Sequence, residues 1–306
     1  MSIKEYNGKI NILLKAVVKL SNLCNLCPNL CGVDRKINIG RCGVSDDIKI
    51  AKYYLHPFEE PIISGKNGSG TVFFTGCSLK CVFCQNYELS RNTRGKVVSP
   101  TELASIFKEL ELKGATNINL VTPTHYVDKI IDAFEIYKPR IPIVYNTHSY
   151  ECLSSIEKIS KYVDVFLPDL KFFSPFISKR YTGKENYFEI ASEVIKFMMT
   201  LKPFKLENGI LKSGVIIRHL ILPQCQQDSV KIIDWYAKNK QNGALISVMS
   251  QYTPFGDIKT FPELNRKITK KEYQTVIDAL LKNNTDDCFI QELSSADTSY
   301  IPSWDF

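Results

Sequence analysis

Cys77, Cys81 and Cys84, spaced Cys-x3-Cys-x2-Cys, carry the most definite chemistry in this 306-residue chain. They follow an apolar run at 71–75 that reads as a strand, so three thiolates converge on one loop at a strand end. Three thiolates can hold three irons of a four-iron cluster and leave the fourth iron open to a small chelating molecule, whereas a fourth ligand would close the site. The same spacing also suits a zinc ion that borrows a distant ligand, or a redox disulfide, and spacing alone does not separate these.

A second group, Cys24-x2-Cys27-x3-Cys31-x10-Cys42, lies among the turn formers Pro28, Gly32 and Gly43. Four thiolates make a closed tetrahedral site, for zinc or for an auxiliary iron–sulfur cluster, and so short a segment needs a metal to fold. The remaining cysteines, Cys152, Cys225 and Cys288, stand alone and read as small buried hydrophobes. Clustered thiols of this kind point to a reducing compartment and metal ligation instead of disulfides.

The elements that position the first group alternate from residue 71 onward. Apolar runs at 71–75, 118–121, 143–146, 165–167, 215–220 and 245–249 read as strands. Helical patterns at 100–113, 126–137, 152–161, 188–201, 228–238 and 270–282 follow them, which predicts parallel strands joined by crossover helices. Polar residues punctuate the strand ends: Thr122 and His125, then Asn146, Thr147 and His148, then Asp169 and Lys171, then His219, then Gln251. In a parallel β/α barrel these ends form the active face. The division expected is a Cys-rich metal-binding segment at 1–65, with one amphipathic helix, and a barrel at 66–306.

A hydrophobic content of 44% in 306 residues allows one large core. The formal net charge of +7 is spread along the chain, which reads as a solvated basic surface and not as a nucleic-acid face. The most apolar early stretch, 10–20, is broken by Lys15 and Lys19 and lacks the layout of a signal peptide, so a cytoplasmic protein without a membrane span is expected.

The stretch from Phe73 to Asn86, with Phe83 directly before the third cysteine, resembles the signature of the radical S-adenosylmethionine (SAM) superfamily. Further segments, Glu59-Glu60-Pro61, Val144-Tyr145-Asn146-Thr147, Leu167-Pro168-Asp169-Leu170-Lys171 and Arg218-His219-Leu220 among them, resemble its pyruvate formate-lyase activating enzyme-like branch, in the subgroup with extra N-terminal cysteines. The resemblance implies an α/β fold, a partial (β/α)6 TIM-like barrel. It also implies a [4Fe–4S] cluster on Cys77, Cys81 and Cys84 that cleaves SAM reductively to a 5′-deoxyadenosyl radical, which takes hydrogen from a substrate. By it Asn86 would meet the ribose or adenosine, Lys171 the SAM carboxylate, and Asp169, Asn146 and Thr147 other polar groups of SAM or a monovalent cation. Arg218 and Gln251 would lie near the nucleoside. For these polar residues a hydrogen-bonded place on the barrel rim is the competing reading.

Two departures stand out. Many relatives carry Gly-Gly-Glu after the second strand for the SAM amino group, where this chain has Thr122-Pro123-Thr124, so Thr122 or backbone carbonyls must substitute. His148-Ser149 stands where Ser-Gly is common, and His148 reads as a surface-loop residue, with contact to the substrate as the alternative. The partners implied are SAM, an electron donor such as flavodoxin or ferredoxin, and, as one version, a glycyl-radical enzyme. The rivals are modification of a small molecule or another peptide, and a zinc-stabilised binding protein without catalysis.

Overall fold

The computed structural model describes residues 23–295. Residues 10–20 and the amphipathic helix expected in the N-terminal segment lie outside them. The strands are β1 (Ile48–His56), β2 (Ser69–Phe74), β3 (Lys96–Val98), β4 (Ile118–Val121), β5 (Ile143–Thr147), β6 (Val165–Pro168), β7 (Lys205–Glu207), β8 (Ile210–Leu220), β9 (Leu245–Met249) and β10 (Cys288–Ile290). The strands read from the sequence are β2, β4, β5, β6, β8 and β9, which lie side by side and parallel in that order. Every residue of β2, β4, β5 and β6 is buried, which is why they appear as unbroken apolar runs and not as alternating ones.

Helices Pro100–Leu112, Val127–Ile136, Leu153–Ile159, Tyr187–Leu201, Gln226–Asn239 and Lys270–Lys282 follow those strands in turn. Two of them begin with reciprocal caps. Ser99 accepts from the Glu102 N–H and Glu102 accepts from the Ser99 N–H, and Thr269 and Glu272 repeat the arrangement. Register sets the rim: Phe73, Val121, Asn146 and Leu167 stand level across β2, β4, β5 and β6, so the residues just beyond them emerge at one end of the sheet.

The sheet is open. Its described order is β10-β9-β8-β6-β5-β4-β2-β1-β3, with β7 on β8. β1 lies antiparallel to β2 and carries β3, although β1 falls within the residues 1–65 that the sequence sets apart; it stitches that segment to the barrel strand that precedes the cysteine loop. Its alternation, clear at Ile48-Lys49-Ile50, is broken by Lys52, and β3, β7 and β10 are too short for a pattern. Among the described residues no helix is long and apolar enough to cross a membrane.

Candidate functional site

The carboxyl ends of the parallel strands enclose a cavity of about 430 Å³. Cys77, Cys81 and Cys84 line it together with Asn86, Thr122, Asn146, Thr147, Asp169, Lys171, Arg218 and Gln251, so the fold gathers all of these at one place. The cysteine loop reaches it through Gly76, at φ +84°, a conformation that glycine takes without strain. A Cβ there would stand 2.9 Å from the Cys42 carbonyl oxygen, because the N-terminal segment packs directly on the loop.

Burial pushes the Cys77 thiol up to about 11 and raises those of Cys81 and Cys84 as well, Cys84 against a hydrogen bond with Ser90. Three buried thiols are costly to ionise unless a cation sits among them. Among the described residues no three Cys, His, Asp or Glu side chains are close enough to share one metal ion.

Beside the thiols lies a largely buried ionic network. The Lys171 ammonium is 2.6 Å from Asp169 Oδ2, and Arg218 reaches Asp169 Oδ1 at 3.1 Å and Glu59 Oε2 at 3.1 Å while donating to Asn146 Oδ1. Burial works to lower the Lys171 ammonium, but Asp169, Cys81 and Cys84 outweigh it and raise it. Burial likewise opposes ionisation of Asp169, yet Lys171 and Arg218 hold its carboxyl below the usual range. Asn119 donates to Glu59 Oε1 at 2.8 Å, and burial raises the Glu59 carboxyl against the pull of Arg218. Three of the five Arg218 donors are thereby committed to protein groups. Thr122, a β-branched residue, sits at φ +59°, the left-handed region that favours glycine, and its N–H donates to the Asn146 carbonyl.

The histidines divide. His148 is buried and lines the cavity, which corrects the surface-loop reading: its Nδ1 accepts the Tyr150 N–H at 3.1 Å, leaving Nε2 to donate to Ser78 Oγ at 2.9 Å. Burial and then Lys171 lower it to about 3, so it is neutral. His125 and His219 lie off the cavity, pinned to the Thr75 and Leu170 carbonyls. Half-buried Glu59 and buried Glu60, both in the cavity wall, are not among the candidate residues read from the sequence; the paired carboxylates before Pro61 are the available signal. One Glu60 oxygen, Oε2, is buried without a partner.

The second cysteine group lies outside the cavity. A Cβ on Gly40 would stand 3.3 Å from Cys42 Sγ and 3.7 Å from Cys31 Sγ, and the Cys24 and Cys31 side chains hydrogen bond. This segment docks by polar contacts: Cys77 N–H donates to the Cys42 carbonyl at 3.0 Å, Asn29 Nδ2 to the Ser78 carbonyl at 2.8 Å, and the Arg35 guanidinium to the His125 carbonyl.

A protein of Methanocaldococcus jannaschii, itself of uncharacterized function, is 31% identical over 277 residues, 86% of this chain and 75% of that one. SuiB of Streptococcus suis, in its structure bound to SAM, superposes with a TM-score of 0.50 at 15% identity over 72% of this chain and 49% of SuiB. A second SuiB structure gives 0.50 at 16% identity over 74% and 50%. This chain thus spans about half the length of SuiB, and the likeness speaks for the fold alone. The sequence model of the Radical SAM superfamily matches residues 71–212. That match runs from β2 into β8, across the cysteine loop and much of the cavity wall, and it shows that this chain carries a domain of the radical SAM superfamily, whose cofactors are a [4Fe–4S] cluster and SAM.

Proposed function

We propose that Cys77, Cys81 and Cys84 hold the cluster with one iron open, and that the radical made from SAM takes a hydrogen atom from a segment of another protein, a glycyl-radical enzyme being one such partner. The observation that carries the reading is a single cavity lined by the three thiols and by the polar residues of successive strand ends. The donor set fits an open iron. Among the described residues no fourth cysteine lines that cavity, and both ring nitrogens of His148 are already engaged. When bound, the cluster supplies the electron that breaks a carbon–sulfur bond of the SAM sulfonium, giving methionine and the 5′-deoxyadenosyl radical.

The chain's own residues then have distinct work. Lys171, a point charge beside the thiols, would meet the SAM carboxylate. Asp169, Asn146, Thr147 and Thr122 would hold the other polar groups, while Asn86 and Gln251 would flank the nucleoside. Arg218 is a positioning residue in this reading, since it clamps Asp169, Glu59 and Asn146 at once. Phe83 packs edge-on against Phe172 and Tyr181, an apolar wall that keeps water from the radical. The N-terminal cysteines would hold a separate structural metal, zinc or an auxiliary cluster.

A protein segment is favoured as substrate because Phe58 and Ile290, from opposite flanks of the open sheet, line the cavity while remaining 53% and 43% exposed. Such an apolar lateral mouth suits a peptide entering from the side. Anaerobic reconstitution with iron and sulfide, then SAM and dithionite, should yield 5′-deoxyadenosine; addition of a glycyl-radical protein should give a glycyl radical signal by electron paramagnetic resonance. Absence of 5′-deoxyadenosine from a fully loaded protein would defeat the reading, and turnover with small molecules alone would defeat its protein-substrate part.

A further inference from the structure

A second cleft, of about 400 Å³, lies against the same cysteine loop. The loop alternates between the two spaces: Cys77, Cys81 and Phe83 line the cavity, Ser78, Lys80 and Val82 line the cleft, and Leu79 reaches both. A single stretch of chain therefore forms the wall between them.

The cleft is strongly cationic. Arg41, Lys80, Arg91, Arg180 and Lys184 line it, and among the described residues no Asp or Glu does. These residues are far apart in sequence, which made the charge look evenly spread; the N-terminal segment, the cysteine loop, helix Tyr87–Asn92 and the end of helix Pro175–Thr182 bring them together. Arg180 is paired with Glu263 at 2.8 Å, but among the described residues the other four have no carboxylate partner. Lys184 donates to Asn29, which in turn donates to the Ser78 carbonyl, so the cationic rim is wired to the loop itself. Burial, and then the charges of Arg41 and Lys80, lower the Lys184 ammonium, as expected of crowded cations awaiting a counter-charge.

We propose that this cleft is the docking surface for an acidic single-electron carrier protein, which reduces the cluster through the wall formed by residues 78–82. The proposal rests on the cluster assignment above. One electron leaves the reduced carrier, oxidising it by one, and enters the cluster, which is reduced by one; no bond forms or breaks. Two features favour a protein over a small anion. The cations are spread over four elements, which matches a broad acidic face. The cleft also lies outside the SAM cavity, so a carrier seated there leaves SAM and substrate in place.

The test is calorimetric titration of the reconstituted chain with a flavodoxin that has an acidic face, at about 50 and about 300 mM salt. Affinity should fall at least about tenfold across that range, and the double variant Arg91→Glu, Lys184→Glu should lose at least about tenfold at low salt. The same variant should cleave SAM with dithionite within about twofold of the parent, since a small reductant needs no docking face. Binding that ignores salt, a variant that binds as tightly as the parent, or uptake of inorganic phosphate without flavodoxin would overturn the proposal. Loss of dithionite-driven cleavage in step with binding would do so too, by making the cleft a mere support of the loop. If the parent chain fails to cleave SAM with dithionite, it is the cluster assignment that falls, and the docking proposal with it.

Discussion

Cys77, Cys81 and Cys84 sit on a loop held by β2 at one end and by helix Tyr87–Asn92 at the other, with the ends of five further parallel strands facing them. Cys24, Cys27, Cys31 and Cys42 sit on a stretch of turns with one isolated bridge, Leu23↔Asp34, and the sulfurs of Cys31 and Cys42 flank Gly40. The first group borrows its rigidity from the sheet, so it can remain one donor short and present a metal to a cavity. The second has little core of its own, so in the proposed reading its four donors would close on one metal, and it is fastened to the barrel by backbone contacts such as Cys77 N–H to the Cys42 carbonyl. Number of ligands and stiffness of the surroundings go together: an open coordination site needs a scaffold that does not depend on the metal for its shape.

This contrast predicts unequal mutants. Cys81→Ala should abolish 5′-deoxyadenosine formation, a loss of at least about a thousandfold, whereas Cys27→Ala should keep measurable turnover and lower the midpoint of thermal unfolding by about 5 °C. Equal losses in both would erase the distinction between the groups.

Next in size is the ionic network of the cavity. Arg218→Ala leaves Asp169 and Glu59 buried without their shared partner and should cost about 3–5 kcal/mol in denaturant unfolding. A loss below about 1 kcal/mol would mean that water already screens the site.

Between the two regions lies Glu151, which accepts hydrogen bonds from Thr124, Tyr145 and Thr147 while its other oxygen has no partner. Burial raises its carboxyl to about 7. A folded-state value above the unfolded one means that its contribution to stability is full below the unfolded value near 4.5 and is lost as pH rises to about 7. The loss is about 3 kcal/mol across that window, and Glu151→Gln should flatten it when stability is measured from pH 5 to pH 8. An unchanged slope would show that Glu151 titrates normally. The smallest effect expected is that of Asn29→Ala, which removes the side-chain link to the Ser78 carbonyl and should cost about 1 kcal/mol.

Much of the cavity was legible because its residues end buried strands. Asn146, Asp169 and Gln251 each follow an apolar run at the same phase, and parallel strands in register must bring such residues together. What stayed hidden depends on contacts distant in sequence. Glu59 and Glu60 precede the first barrel strand and enter the cavity wall only because β1 folds back antiparallel on β2. His148 looked like a surface residue because nothing in its neighbours reveals that Ser149, at φ +64°, turns the Tyr150 N–H back onto its ring. The cationic cleft was invisible for the same reason, since Arg41 and Lys184 become neighbours only after the N-terminal segment docks.

Mössbauer spectroscopy of the reconstituted protein, labelled with ⁵⁷Fe and recorded with and without SAM, addresses the open iron directly. One iron of the barrel cluster should be distinguishable from the other three and should change its parameters when SAM is added. Four equivalent irons that ignore SAM would contradict the account.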